Sequence, residues 1–182
     1  GNTPGLPENR VMCLFEDSQR RLWIGTENAG VVFLHEGKIT VPEPLRVGGK
    51  ERRLQSACED QSGAVWLLKA NGDIWRVVGG ALQSFPAPPG GRGGPGQSII
   101  CETDGAVRVG MLQRQFEIDA RATFQSPELP LVGEPRPTGR LLSLTVSPRG
   151  GYWRTSNQGT PRCALMTEIL LKLLAWLRSS GV

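Results

Sequence analysis

Phe15 to Thr26 reads FEDSQRRLWIGT, and Cys58 to Lys69 reads CEDQSGAVWLLK. The Glu-Asp pair and the tryptophan of the first stretch recur in the second at an offset of 43 residues, so Glu16-Asp17 maps onto Glu59-Asp60 and Trp23 onto Trp66. A third copy, CETDGAVRVG at Cys101 to Gly110, keeps that offset at its Cys-Glu and drops one residue in the turn, which puts Arg108 in the tryptophan place. A fourth copy, LLSLTVSPRGGYWRTSNQG from Leu141 to Gly159, restores the tryptophan as Trp153 but has no acidic pair.

A period of roughly 40 to 50 residues is the size of one four-stranded propeller blade. In the first copy the alternation of a strand puts Val11, Cys13 and Phe15 on one face and Met12 and Leu14 on the other. Both faces are apolar, as expected of a sheet packed between two neighbours. The expected strands are Val11 to Glu16, Leu22 to Thr26, Val31 to His35 and a fourth near Ile39 to Val41. In the second copy, third and fourth strands are expected over Asp73 to Val77 and Leu82 to Phe85. Turns fall at Asp17 to Arg20, Ser62-Gly63, Asn71-Gly72 and Asp104-Gly105, where Gly takes positive φ without a Cβ penalty. The fold class expected is all-β: a β-propeller-type array of about four four-stranded antiparallel blades in an incomplete ring, with a short C-terminal helix. The expected boundaries are blades over 6–47, 48–90, 91–135 and a partial one over 136–159, followed by a tail over 160–182. In that tail ALMTEILLKLLAWLRSS reads as a helix with apolar residues on almost every side.

Composition agrees with such a fold. Gly and Pro number 24 and 14 of 182 residues, well above average usage, which favours many short strands joined by turns. The net charge of +4 comes mostly from scattered arginines. Arg20-Arg21 and Arg52-Arg53 stand beside acidic residues, so no basic stripe for nucleic acid is expected. Cys13, Cys58, Cys101 and Cys163 include no CxxC pair, and His35 is the sole histidine, which argues against structural zinc. Because their spacing follows the repeat, the cysteines are expected at equivalent strand positions as buried free thiols. No signal peptide is visible, and the apolar run from Ile169 to Leu177 is too short to span a bilayer.

The first copy, LPENRVMCLFEDSQRRLWIGTENAGVVFLHEG from Leu6 to Gly37, closely resembles the two-component regulator propeller repeat. The LP start, the apolar strand ending in Glu-Asp, the turn, LWIGT and the Gly-containing turn follow in the family's order. The second copy keeps Glu59-Asp60, Gly63 and Trp66 but has Leu67-Leu68-Lys69 in place of IGT. The resemblance implies a sensor segment of a bacterial hybrid histidine kinase or related regulator, periplasmic or otherwise extracytoplasmic within a membrane-anchored parent. It implies recognition of ligands such as glycans. It also implies a signalling module elsewhere in the parent, and further blades or a second subunit covering the open ends. No cofactor is implied.

The chemistry-bearing residues are weighed against that scaffold. The Glu-Asp pairs could serve as acid and base or as calcium ligands. Their place at a strand end entering a tight turn points instead to turn capping, because adjacent strand residues face opposite ways. Trp23, Trp66 and Trp153 could stack on sugars, but one aromatic repeated in three blades is most simply packing. His35 has no partner motif that would complete a catalytic set. Propellers place function in loops at one face. The ligand-binding candidates are therefore the second-to-third-strand turns with Glu27, Asn28, Lys69, Asn71, Asn157 and Gln158, plus Arg10, Arg52 and Arg53 between blades. Amides and guanidinium groups suit hydroxyl-rich or anionic ligands. A streptogramin-lyase type of enzyme, with His35 at a metal, is the rival expectation. A structural interaction domain or a truncated remnant is the third.

Overall fold

The computed structural model describes residues 5–42, 45, 53–88, 98–111, 114–118, 123–125, 141–146, 152–156 and 162–163. These hold fifteen strands. Val11–Glu16 (β1), Leu22–Thr26 (β2), Val31–His35 (β3) and Lys38–Thr40 (β4) form the first sheet; Leu54–Glu59 (β5), Val65–Lys69 (β6), Ile74–Val78 (β7) and Ala81–Phe85 (β8) form the second. Ser98–Cys101 (β9), Val107–Met111 (β10), Arg114–Ile118 (β11) and Phe124–Gln125 (β12) make the third. The fourth contains Leu141–Val146 (β13), Tyr152–Ser156 (β14) and Arg162–Cys163 (β15). Each sheet is a meander in chain order, and every pairing is antiparallel. The first three strands of sheet one fall where the alternation puts them. Arg162–Cys163, assigned above to the tail, instead pairs with β14 as a third strand. The helix expected from Ala164 onward lies outside the described residues.

The sheets stack through their first strands, β1 on β5, β5 on β9 and β9 on β13, which is the inner row of a propeller arc. Strand alternation divides each sheet between its two neighbours. Trp23 and Val31 look forward into a cluster with Leu54, Val65 and Leu67 of the second sheet, which look back. Trp66, Leu68 and Ile74 look forward onto Ile99, Val109 and Phe116 of the third. Trp23 and Leu67 are almost wholly buried, and each such side chain contributes about 1.5–3 kcal/mol by leaving water. Gly25 explains the glycine of LWIGT, since a Cβ built there would lie 2.6 Å from both Cβ and Cδ2 of Leu54. The first two sheets approach too closely at this point for a side chain.

The register corrects the alignment of the third copy. Cys101 pairs with Val107 as Glu59 pairs with Val65, and Ile100 pairs with Arg108 as Cys58 pairs with Trp66. The residue lost from the third copy therefore precedes Glu102, which takes the place of Asp60. The turn bonds agree: Asp17 N, Asp60 N and Glu102 N donate to Arg21 O, Ala64 O and Ala106 O at 3.1, 2.9 and 2.8 Å. Arg108 does occupy the tryptophan position, and it reaches Glu102 and Glu117 instead of an aspartate. Acid and partner have changed together.

The same shift corrects the cysteines. Cys58 and Cys101 are not equivalent, because Cys101 stands one position further along its strand. That offset brings the two strands' Cα atoms to 5.8 Å, and the residues form a disulfide between the second and third sheets. Cys13 occupies yet another position and is a free thiol. Burial pushes its pKa up to about 11, against a partly opposing hydrogen bond from the Ala57 amide.

Candidate functional site

Each sheet has two ends, and the repeated residues occupy one of them. Asp17 Oδ1 accepts the amides of Gln19 and Arg21, while its Oδ2 accepts Arg21 Nε and, at 2.7 Å, the indole N–H of Trp23. Asp60 repeats the arrangement with Ser62, Ala64 and the Trp66 indole, again at 2.7 Å. Burial alone would raise both carboxyls, but these hydrogen bonds outweigh it and hold both below the usual value. Glu59 accepts Ser18 N and Ser18 Oγ at 2.7 Å each, and so ties the second sheet to the turn of the first. The acidic pairs are thus engaged as turn and blade connectors. His35 lies at this end too, with Nδ1 3.5 Å from the Arg20 carbonyl.

The opposite end carries the residues that differ. There β1 begins, β2 ends and β3 begins, so Arg10, Glu27 and Asn28 converge; in the second sheet Arg53, Lys69 and Asn71 do the same. An equivalent backbone bond sets both groups: Glu27 N donates to Arg10 O at 3.0 Å, and Ala70 N to Arg53 O at 2.9 Å. Two arginines therefore enter neighbouring blades at matching places. Around this frame the side chains diverge. Arg10 pairs with Glu27. Asn28 donates its amide N and Nδ2 to Glu8, which also accepts Ala29 N. These bonds, the Asn28 amide first, hold the Glu8 carboxyl below its ordinary value. Lys69 is buried, with Nζ 4.5 Å from the Trp75 ring centroid and 3.8 Å from Asp73 Oδ2. Asn71 accepts from Asp73 N and donates Nδ2 to Asp73, closing the turn on itself.

Six of the nine candidates therefore share one end of two adjacent sheets, whereas Arg52, Asn157 and Gln158 lie outside the described residues. The structure adds Glu8, Asp73 and Trp75 to that end. Asp73 was legible in the Asn-Gly-Asp turn, and Glu8 had no signal beyond its closeness to the first strand. Trp75 lies on β7, outside the positions that repeat between the copies. Among the described residues no group of three or more His, Cys, Asp or Glu is placed to hold a metal ion, and no helix is long and apolar enough to cross a membrane.

Residues 5–28 match the family described as two component regulator propeller. That match spans β1 and β2 of the first sheet. No curated protein matches the chain. Among solved structures, the extracellular domain of a putative one component system from B. thetaiotaomicron is similar over 88% of this chain and 22% of its own, with 16% identity and a TM-score of 0.66. Virginiamycin B lyase from Staphylococcus aureus is similar over 87% and 56%, with 19% identity and a TM-score of 0.60. A gluconolactonase from Xanthomonas campestris is similar over 80% and 56%, with 14% identity and a TM-score of 0.58. The chain thus spans about half or less of these proteins. At such identities the likeness establishes the shared propeller fold, which sensors and enzymes both use. The other three sheets share the antiparallel meander of the first and lie outside that match.

Proposed function

We propose that this chain is the ligand-sensing propeller segment of a bacterial two-component signalling regulator, non-catalytic itself, working outside the cytoplasm within a membrane-anchored parent. The observation that carries the reading is the division of labour between the two ends. The repeated Asp, Glu and Trp residues are consumed by the scaffold, while Arg10, Glu27, Asn28, Arg53, Lys69 and Asn71 cluster at the other end on matching backbone frames. Guanidinium, amide and stacked-cation groups suit a hydroxyl-rich or anionic ligand such as a glycan. The Cys58–Cys101 disulfide favours an oxidising compartment. The regulator repeat and the extracellular sensor relative point the same way. Replacing Asn28, Arg52, Arg53 and Asn71 together by alanine should abolish binding of sulfated or neutral glycans in titration calorimetry. Unchanged binding would remove these residues from the site.

A second reading follows from the lyase likeness. A histidine-to-alanine variant of that lyase is described as catalytically inactive. This chain's single histidine, His35, sits at the scaffold end, away from the clustered loops. Metal-dependent turnover of a streptogramin that disappears in His35→Ala would favour the enzyme.

A further inference from the structure

The chain has five asparagines, Asn2, Asn9, Asn28, Asn71 and Asn157, and Asn71 alone is followed by glycine. An Asn-Gly bond is open to an intramolecular reaction, because glycine has no Cβ to keep its amide nitrogen away from the asparagine Cγ. The fold requires the glycine here. Gly72 N donates to Lys69 O and Lys69 N to Asp73 O, both at 2.9 Å, in a tight turn between β6 and β7 that sets Gly72 at φ 92°, in the left-handed region. In the first sheet Thr26 N donates to Gly30 O in the same way. Asn28-Ala29 therefore holds the matching place, with a Cβ on its second residue.

The turn also fastens both reacting groups. The Gly72 N–H is engaged by Lys69 O, while Asn71 Oδ1 accepts Asp73 N at 3.0 Å and Nδ2 donates to Asp73 Oδ2 at 2.6 Å. Asp73 is itself held, its Oδ1 accepting Ala87 N at 3.2 Å and its Oδ2 lying 3.8 Å from Lys69 Nζ. We propose that Asn71 is a deamidation site that this clasp keeps closed and that opening of the β6–β7 turn releases. In the open turn the Gly72 nitrogen gives its proton to a solvent base and bonds to Asn71 Cγ. The Cγ–Nδ2 bond breaks, and Nδ2 takes a proton from water and leaves as ammonia. Water then opens the succinimide ring at either carbonyl, leaving aspartate or isoaspartate. Neither product restores the clasp, because a carboxylate oxygen replaces the Nδ2 donor opposite Asp73 Oδ2 and like charges repel. The reaction therefore runs one way, and it adds a negative charge at the end of the sheets where Arg53 and Lys69 lie.

The test uses the full chain, incubated at mildly alkaline pH in native buffer and in concentrated guanidinium chloride. Peptide mass spectrometry follows amide-to-acid conversion at Asn71, with Asn28 as the internal reference. In denaturant Asn71 should convert faster than Asn28, and in native buffer its rate should fall at least about tenfold, because several hydrogen bonds must open together. Asp73→Ala, with an unchanged far-UV circular dichroism spectrum, should raise the native rate severalfold. Hydrogen exchange at the Gly72 amide of the unaltered chain gives a second reading, since conversion should rise in step with that opening as denaturant is added below the unfolding midpoint. Equal rates in native buffer and denaturant would overturn the proposal, as would conversion in denaturant no faster than at Asn28. So would a native rate that a folded Asp73→Ala leaves unchanged, or conversion that does not follow the Gly72 opening.

Discussion

Gly25→Ala tests the packing of the first two sheets at its tightest point. The new methyl would sit 2.6 Å from Leu54 Cβ and Cδ2, against about 3.5–4.0 Å for a relaxed carbon contact. Overpacking of this kind costs about 1–3 kcal/mol. Removing a glycine also restricts the unfolded chain, which stabilises by about 0.4–1 kcal/mol, so the net loss should be about 1–2 kcal/mol. Leu54→Gly alone removes a buried leucine and loosens the backbone. It should cost about 2–5 kcal/mol for the side chain and about 0.5–1 kcal/mol more for the glycine. In the double variant the methyl enters space that Leu54 has left, so the overpacking cost vanishes. The double variant should therefore be more stable than the sum of the singles by about 1–3 kcal/mol in urea unfolding at constant m. Additivity within about 0.5 kcal/mol would show that Gly25 and Leu54 do not face each other across the junction.

Three further outcomes follow from the turns. Arg20 sits at φ 61°, where the equivalent residues are Gly63 and Gly105, and its ion pair with Glu16 is exposed. Arg20→Gly should raise stability by about 0.5–1 kcal/mol, the left-handed strain relieved less the entropy of glycine, read as a higher urea midpoint. Asp60→Ala orphans the buried Trp66 indole N–H and the Ala64 amide, and should lower stability by about 2–3 kcal/mol at neutral pH. Because Asp17 and Asp60 are held below their unfolded pKa, their stabilisation is present above that value and is lost as pH falls through the folded one. Thermal melts should change little from neutral pH down to about pH 4 on this account and fall below it, with a shallower fall in Asp60→Ala.

Much of the first sheet was legible because its side chains obey one rule each. Alternation placed Val11–Glu16 and Leu22–Thr26, and the Asp17 and Trp23 positions announced a turn and a wedge. The third copy misled because Cys101-Glu102 imitates Cys58-Glu59 in letters, while the hydrogen bonds of the turn fix Glu102 as the Asp60 counterpart. That single-residue slip also hid the disulfide, since side chains at identical register positions point into successive junctions rather than toward each other. At the candidate site, turn positions were visible as loops that differ. Their internal pairings, such as Asn71 with Asp73 and Asn28 with Glu8, depend on backbone geometry that composition does not encode.

The account rests on sheets stacked through their first strands with a one-residue offset, and the cysteines report that offset covalently. The measurement is peptide mapping of the natively folded chain by mass spectrometry, after alkylation under non-reducing conditions. It should recover one linked peptide pair joining Cys58 to Cys101, with Cys13 in a separate peptide and alkylated faster once the chain unfolds, because its thiol is partly buried and its pKa raised. Recovery of Cys58 and Cys101 as separate alkylated peptides, or of either joined to Cys13, would contradict the stacking.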